Sequence, residues 1–170
     1  MPSHRSAPHR TLILMRHGKS AYPEGVADHE RPLAPRGLRQ AVSAGEWLRS
    51  TQPAIEAVLC STAVRTRETL QATGVGAPVR FAGELYGAYP PEILAQIVRV
   101  DPSVRTLLVV GHEPGTSSAA LDLSGWPDTA DADRMREKFP TSALAVLTVP
   151  CEWGELTSGG ASLTTFHVPR

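Results

Sequence analysis

The sequence predicts an α/β fold, a three-layer sandwich whose mostly parallel central sheet carries helices on both faces. Three observations lead there. Short apolar runs, too few in residues for helices, recur at Leu12–Met15, Ile55–Cys60 and Thr106–Val110 and read as strands buried on both faces. Stretches of helical period separate these runs, the arrangement that forces parallel strands with covering helices. Only the last two candidate strands lie close enough in sequence to form an antiparallel hairpin, placed at one side of the sheet.

The first strand ends abruptly in Arg16-His17-Gly18-Lys19-Ser20. A loop follows from Ala21 to Pro35, and its prolines at 23, 32 and 35 forbid regular helix. From Arg36 the apolar positions Leu38, Ala41, Val42, Gly45 and Leu48 trace one face of a helix that ends before Pro53. Ile55–Cys60 is the second strand. The stretch Ser61 to Thr69 then starts a second helix through small hydroxyl residues suited to capping its free amides. Gly74 and Gly76 stop that helix, and Pro78–Phe81 is a short third strand. After the loop Gly83 to Gly87, Pro90 and Pro91 open a helix with Ile93, Leu94, Ile97 and Val98 on one side. The fourth strand, Thr106–Val110, runs into Gly111-His112-Glu113-Pro114, with Pro114 suited to the first turn of the next helix. Asp122 to Asp133 is a polar connection with a short helix. Ala143–Val149 and Ser162–Val168 make the closing hairpin around Trp153-Gly154. Residues 1–10 read as a disordered tail, and 11–170 as a single domain.

Composition removes several function classes. Lys+Arg and Asp+Glu number 17 each, so no global field recruits nucleic acid or a membrane surface. No apolar window approaches the roughly 18 residues of a bilayer span. The two cysteines, Cys60 and Cys151, form no disulfide framework, and Cys60 reads as a buried small hydrophobe in a cytoplasmic protein.

The chemistry sits at strand ends. Arg16 and His17, Arg65 one turn past the second strand, and His112 all follow buried-looking strands, and in open α/β sheets ligands bind beyond the carboxyl ends of the strands. If the first, second and fourth strands are parallel neighbours, the four side chains share one pocket. Two guanidiniums present planar forks to phosphate or carboxylate oxygens, and two imidazoles add a nucleophile and a donor. The set suits phosphoryl transfer, where catalysis is mostly positioning and charge stabilisation. Gly18 leaves room for a ligand to approach the backbone, and Lys19, Ser20 and Arg31 are candidates for the rim that touches phosphate or substrate. The same residues taken singly also read as polar strand caps.

Leu14-Met15-Arg16-His17-Gly18 resembles the signature of the histidine phosphatase superfamily, which includes phosphoglycerate mutases. The resemblance continues through Pro32–Ala41, Ser61–Thr69 and Val109–His112, and covers about residues 11–168. The short chain, Glu84-Leu85-Tyr86 and Gly111–Pro114 look most like the SixA-type branch of phosphohistidine phosphatases, without a large cap domain. The resemblance implies a phosphoglycerate mutase-like fold with His17 as nucleophile, forming a covalent phosphohistidine that water hydrolyses. It further implies that Arg16, Arg65 and His112 bind the phosphoryl oxygens, His112 as a donor with a cationic form open to it, and that no metal or other cofactor takes part. Glu84 stands about where mutase-like members keep a general acid. It reads more readily as an ion-pair partner of Arg65 or Arg67, and a leaving imidazole demands less protonation than an alkoxide.

Three functions remain open. The first is a metal-independent phosphohistidine phosphatase acting on a phosphorylated protein such as a phosphotransfer domain. The second is a phosphatase for a small phosphorylated ester, and the third is a phospho-ligand binding module without turnover. A metal hydrolase built from His17, His112 and Glu113 is a remoter reading. The chain is expected to be a monomer or weak dimer.

Overall fold

A computed structural model describes residues 9–170. The chain forms β1 (Arg10–Arg16), α1 (Pro35–Thr51), β2 (Ala57–Ser61), α2 (Val64–Thr73), β3 (Val79–Ala82), α3 (Pro90–Ile97), β4 (Thr106–Gly111), α4 (Gly115–Leu123), α5 (Ala130–Glu137), β5 (Leu144–Val149) and β6 (Ser162–His167). One six-stranded sheet runs in the order β3-β2-β4-β1-β5-β6. The pairs β2·β3, β2·β4 and β1·β4 are parallel, and β5 pairs antiparallel with both β1 and β6. The first, second and fourth strands are therefore parallel neighbours.

Alternation along each strand divides the core into two layers, because successive side chains point to opposite faces of a sheet. Leu12, Leu14, Leu107 and Val109 pack with Ile93, Ile97, Ala119, Leu123 and Met135 of α3, α4 and α5. Ile13, Met15, Leu108 and Val110 pack with Ala44 and Leu48 of α1 and Leu70 of α2. Both faces of β1 and β4 are thus covered, which is why these strands read as unbroken apolar runs. The chain leaves β1 toward one face and β4 toward the other. Their adjacent carboxyl ends form the crevice where ligands bind in open α/β sheets.

Several expectations need correction. Of the expected tail over residues 1–10, only His9 and Arg10 lie within the described residues. Arg10 opens β1, is buried, and donates to the carbonyls of Cys151 (2.9 Å) and Pro102 (2.8 Å). Those two bonds offset part of the cost of burying the guanidinium, whose Nε is left without a partner. Helix α2 begins later than expected, with Ala63 at its N-cap and no side-chain cap. Its hydroxyls turn inward instead: Thr66 donates to the carbonyls of Ser61 and Ala63, and Thr69 to that of Arg65. Pro114 stands at the N-cap of α4 instead of in its first turn. The polar connection from Asp122 is shorter than expected, since α5 occupies Ala130–Glu137, capped by the Thr129 hydroxyl accepting from the Ala132 N–H. Among the described residues no helix is long and apolar enough to cross a membrane.

Candidate active site at the carboxyl ends of β1, β2 and β4

His17 follows β1 directly and is held by three hydrogen bonds. Its backbone N–H donates to the Gly111 carbonyl at the end of β4 (3.0 Å), and its carbonyl accepts from the Ser142 N–H (2.9 Å). Its ring Nδ1 lies 2.7 Å from the Gly18 carbonyl. A carbonyl only accepts, so Nδ1 carries the proton and Nε2 keeps its lone pair. The Gly18 N–H in turn donates to the Thr69 hydroxyl (2.9 Å), tying the turn after β1 to α2. Burial pushes the His17 pKa down to about 4, helped by the charges of Arg65, Arg16 and Arg31 and opposed by the Gly18 hydrogen bond. The imidazole is neutral at physiological pH.

His112, at the end of β4, brings its ring centroid to 5.2 Å from that of His17. Its Nε2 lies 2.8 Å from the Ser61 hydroxyl at the end of β2. That hydroxyl also accepts from the Ala63 N–H, and among the described residues His112 Nε2 is the acceptor within reach of its proton; with the proton given there, Nδ1 is the protonated nitrogen. Burial and the neighbouring His17 and Arg65 push the His112 pKa down to about 3. A cationic His112 is therefore disfavoured here, and the ring is a neutral donor.

The two arginines are anchored but not saturated. Arg16 donates through Nη1 to the Phe139 carbonyl (2.8 Å), and burial lowers its pKa. Arg65, only 6% exposed, donates through Nη1 to the Asp28 carbonyl (2.7 Å) and through Nη2 to Asp28 Oδ2 (3.1 Å). Arg16 Nε, Arg65 Nε and His112 Nδ1 are buried and have no hydrogen-bond partner. Buried donors are nearly always paired in folded proteins. Arg10 Nε, at the opposite end of β1, is unpaired as well, so what sets these three donors apart is their place beside the His17 ring with its free lone pair, where they could meet the oxygens of an anion.

The remaining candidates divide. Arg31 lies at the rim, donating to the Ser20 hydroxyl (2.8 Å) and paired with Asp28, with its guanidinium 4.1 Å from the Tyr22 ring centroid. Ser20 is buried, and its hydroxyl accepts that bond. Lys19 is exposed, its ammonium 5.9 Å from the same ring. Gly18 faces protein: a Cβ there would stand 2.7 Å from the Gly37 carbonyl oxygen. That glycine lets the first turn of α1 approach the loop, a different reason from the one its sequence position suggested. Glu84, in the 3-10 helix Gly83–Leu85, is exposed and forms no ion pair among the described residues. The expected pairing with Arg65 or Arg67 is thus wrong, because Asp28 takes Arg65 and Arg67 lies over the Phe81 ring at 5.1 Å. Both carboxylate oxygens of Glu113 are bound by Ser117 at the start of α4. Among the described residues no group of three His, Cys, Asp or Glu could hold a metal ion, so the set His17, His112 and Glu113 does not assemble.

Sequence reasoning missed Asp28, Tyr86 and Thr69. Asp28, in the 3-10 helix Asp28–Glu30, bonds both Arg31 and Arg65 and accepts from the Tyr86 hydroxyl. That hydroxyl, followed by Arg65 and Arg31, holds the Asp28 carboxyl well below the usual range. The Tyr86 ring stands edge-on to His112 (5.4 Å) and to His29 (4.9 Å).

Comparison with known proteins matches this arrangement to one family. Residues 12–86 match the histidine phosphatase superfamily (branch 1). The solved structure of the putative phosphohistidine phosphatase SixA from Nakamurella multipartitia superposes with a TM-score of 0.90 at 41% identity, covering 96% of this chain and 98% of that one. The chain belongs to the histidine phosphatase superfamily, in its SixA-type branch. SixA from Agrobacterium tumefaciens has a TM-score of 0.76 at 29% identity, covering 94% of this chain and 98% of that one. An uncharacterized protein of Mycobacterium tuberculosis is 57% identical over 158 residues, 92% of this chain and all of the relative. As a SixA-type histidine phosphatase, the chain has the phosphoglycerate mutase-like fold and no large cap domain, and the family places it among phosphatases.

Proposed function

We propose that this chain is a metal-independent phosphohistidine phosphatase that works through a covalent intermediate on His17. The observation that carries the reading is the cradle itself: Arg16 Nε, Arg65 Nε and His112 Nδ1 unpaired and buried beside a neutral His17 ring with Nε2 unprotonated. The three donors bind the phosphoryl oxygens and gain strength as charge builds on them in the transition state. His17 Nε2 donates its lone pair to phosphorus as the bond from phosphorus to the leaving nitrogen breaks, and the departing imidazole takes a proton from water. Water then attacks the phosphorylated His17, orthophosphate leaves with the water proton going to bulk solvent, and Nε2 regains its lone pair. The guanidiniums supply the positive charge that a metal would otherwise provide.

A phosphohistidine substrate is supported by two features. Glu84 is exposed and forms no ion pair among the described residues, and an imidazole leaving group needs little protonation. The phosphohistidine phosphatase designation given to SixA from Nakamurella multipartitia points the same way. A phosphorylated protein needs an open approach, which the absence of a large cap allows.

The test is to mix the protein with a phosphohistidine peptide, quench in alkali and map phosphorylated residues by mass spectrometry, with chelator present throughout. Phosphate on His17, lost in His17→Gln, is the expected result. Turnover with no phosphate trapped on His17 overturns the mechanism, and marked preference for phosphate esters overturns the substrate.

A further inference from the structure

Asp28 is a carboxylate set among the cations of an anion site, where charge alone would count against it. Its backbone carbonyl accepts from Arg65 Nη1 (2.7 Å) and its Oδ2 from Arg65 Nη2 (3.1 Å). Its Oδ1 accepts from Arg31 Nε (3.1 Å) and pairs with Arg31 Nη2 (3.0 Å). The Tyr86 hydroxyl donates to Oδ2 as well. One residue in the long proline-rich loop thus joins a guanidinium from α2, a second from its own loop and an aromatic ring from the segment after β3.

The consequence lies in which edge of Arg65 is left over. A guanidinium has five N–H groups in a rigid planar fork. Asp28 occupies one N–H on each terminal nitrogen, so the plane of the fork is fixed, and the buried, unpaired Nε–H remains together with one further N–H on each terminal nitrogen. A free arginine side chain has several rotatable bonds and would present either edge. Two bonds from a single partner remove that freedom before any ligand arrives.

We propose that Asp28 is a positioning residue that orients Arg65 for phosphoryl transfer, rather than a competitor that blocks the anion site. This rests on the function proposed above. It goes beyond that reading by giving a part in catalysis to a residue that does not touch the transferred group. The Asp28 carboxylate stays ionised because Tyr86, Arg65 and Arg31 all bond to it, so it does not serve as a proton donor.

The variant is Asp28→Asn, which keeps the size of the side chain and removes its charge and one acceptor. Misplacement of a group by about 1 Å costs on the order of 100-fold in rate, so kcat is expected to fall about 10- to 100-fold. Inorganic phosphate should still inhibit with its constant changed by less than about threefold. The cationic charges remain in the variant, and the carboxylate near them is gone. Asp28→Glu, which restores the charge, should recover part of kcat. A second readout needs no turnover: the Arg65 Nε–H signal in proton–nitrogen NMR should be sharp in the parent protein and move on adding inorganic phosphate. In Asp28→Asn it should broaden through rotation of the side chain.

Unchanged kcat in Asp28→Asn overturns the proposal. A rise in kcat/KM overturns it too, in favour of a competing carboxylate. Parallel loss of kcat, phosphate inhibition and thermal stability overturns it in favour of a purely structural loop contact. If the parent protein turns over no phosphorylated substrate, the proposed function fails separately. The Arg65 signal then still decides whether Asp28 fixes the guanidinium. Asp131→Asn, which breaks the surface pair with Arg134, is the control and should leave every readout unchanged.

Discussion

Acidification should unfold this protein in a way that runs through His17. Its ring is 8% exposed, with no solvent screening to discount, and its pKa falls from 6.5 to about 4 on folding. A group whose pKa is depressed in the folded state favours folding while neutral. The contribution is fully present above 6.5 and drains away as the pH falls toward 4. At 1.36 kcal/mol per pH unit, lowering the pH from about 7.5 to about 5 removes about 2 kcal/mol through this residue. Replacing His17 with Gln keeps a side-chain donor for the Gly18 carbonyl and removes the titration. Urea unfolding of both proteins across that range measures the difference. The parent should lose about 2 kcal/mol more than His17→Gln over the interval, a large share of the 5–15 kcal/mol typical of a domain. Inorganic phosphate should shrink the gap, because a bound anion offsets the Arg65 and Arg16 charges that help depress the pKa. Equal losses in the two proteins would refute the reasoning, since the ring would then titrate in the folded state as it does in the unfolded chain.

Two further predictions concern packing and tautomer. In Gly45→Ala the new Cβ would stand 2.1 Å from the Thr73 carbonyl oxygen, forcing α1 from α2 at a cost of about 1–3 kcal/mol in urea unfolding. Gly76→Ala, with nothing within 4 Å, should cost far less. Ser61→Ala takes away the hydroxyl at His112 Nε2, freeing the ring to exchange tautomers, and should lower kcat on the order of fivefold to tenfold without changing thermal stability by more than a few degrees.

Much of this was readable in the chain. The apolar runs at Leu12–Met15 and Thr106–Val110 announced strands covered on both sides, and the polar residues ending them marked the crevice. The closing hairpin followed from sequence spacing alone. Asp28 was not readable, because beyond the nearby Arg31 its partners are Arg65 and Tyr86, 37 and 58 residues away, and no local pattern joins a loop aspartate to a distant guanidinium. The Thr69 hydroxyl looked like part of a capping stretch, yet it accepts from the Gly18 N–H across the fold. Gly18 itself was legible as a place of close approach but not as to what approaches, which is Gly37 of α1. Trp153 carried no signal of its role. It is fully buried, with its indole N–H donating to the Val104 carbonyl (2.8 Å) to hold the turn before β6.

The cradle is tested most directly by a crystal structure of the protein grown with inorganic phosphate or tungstate. The account predicts one anion bonded to Arg16 Nε, Arg65 Nε and His112 Nδ1, with His17 Nε2 facing its central atom. An anion bound elsewhere while those three nitrogens stay unpaired would contradict it.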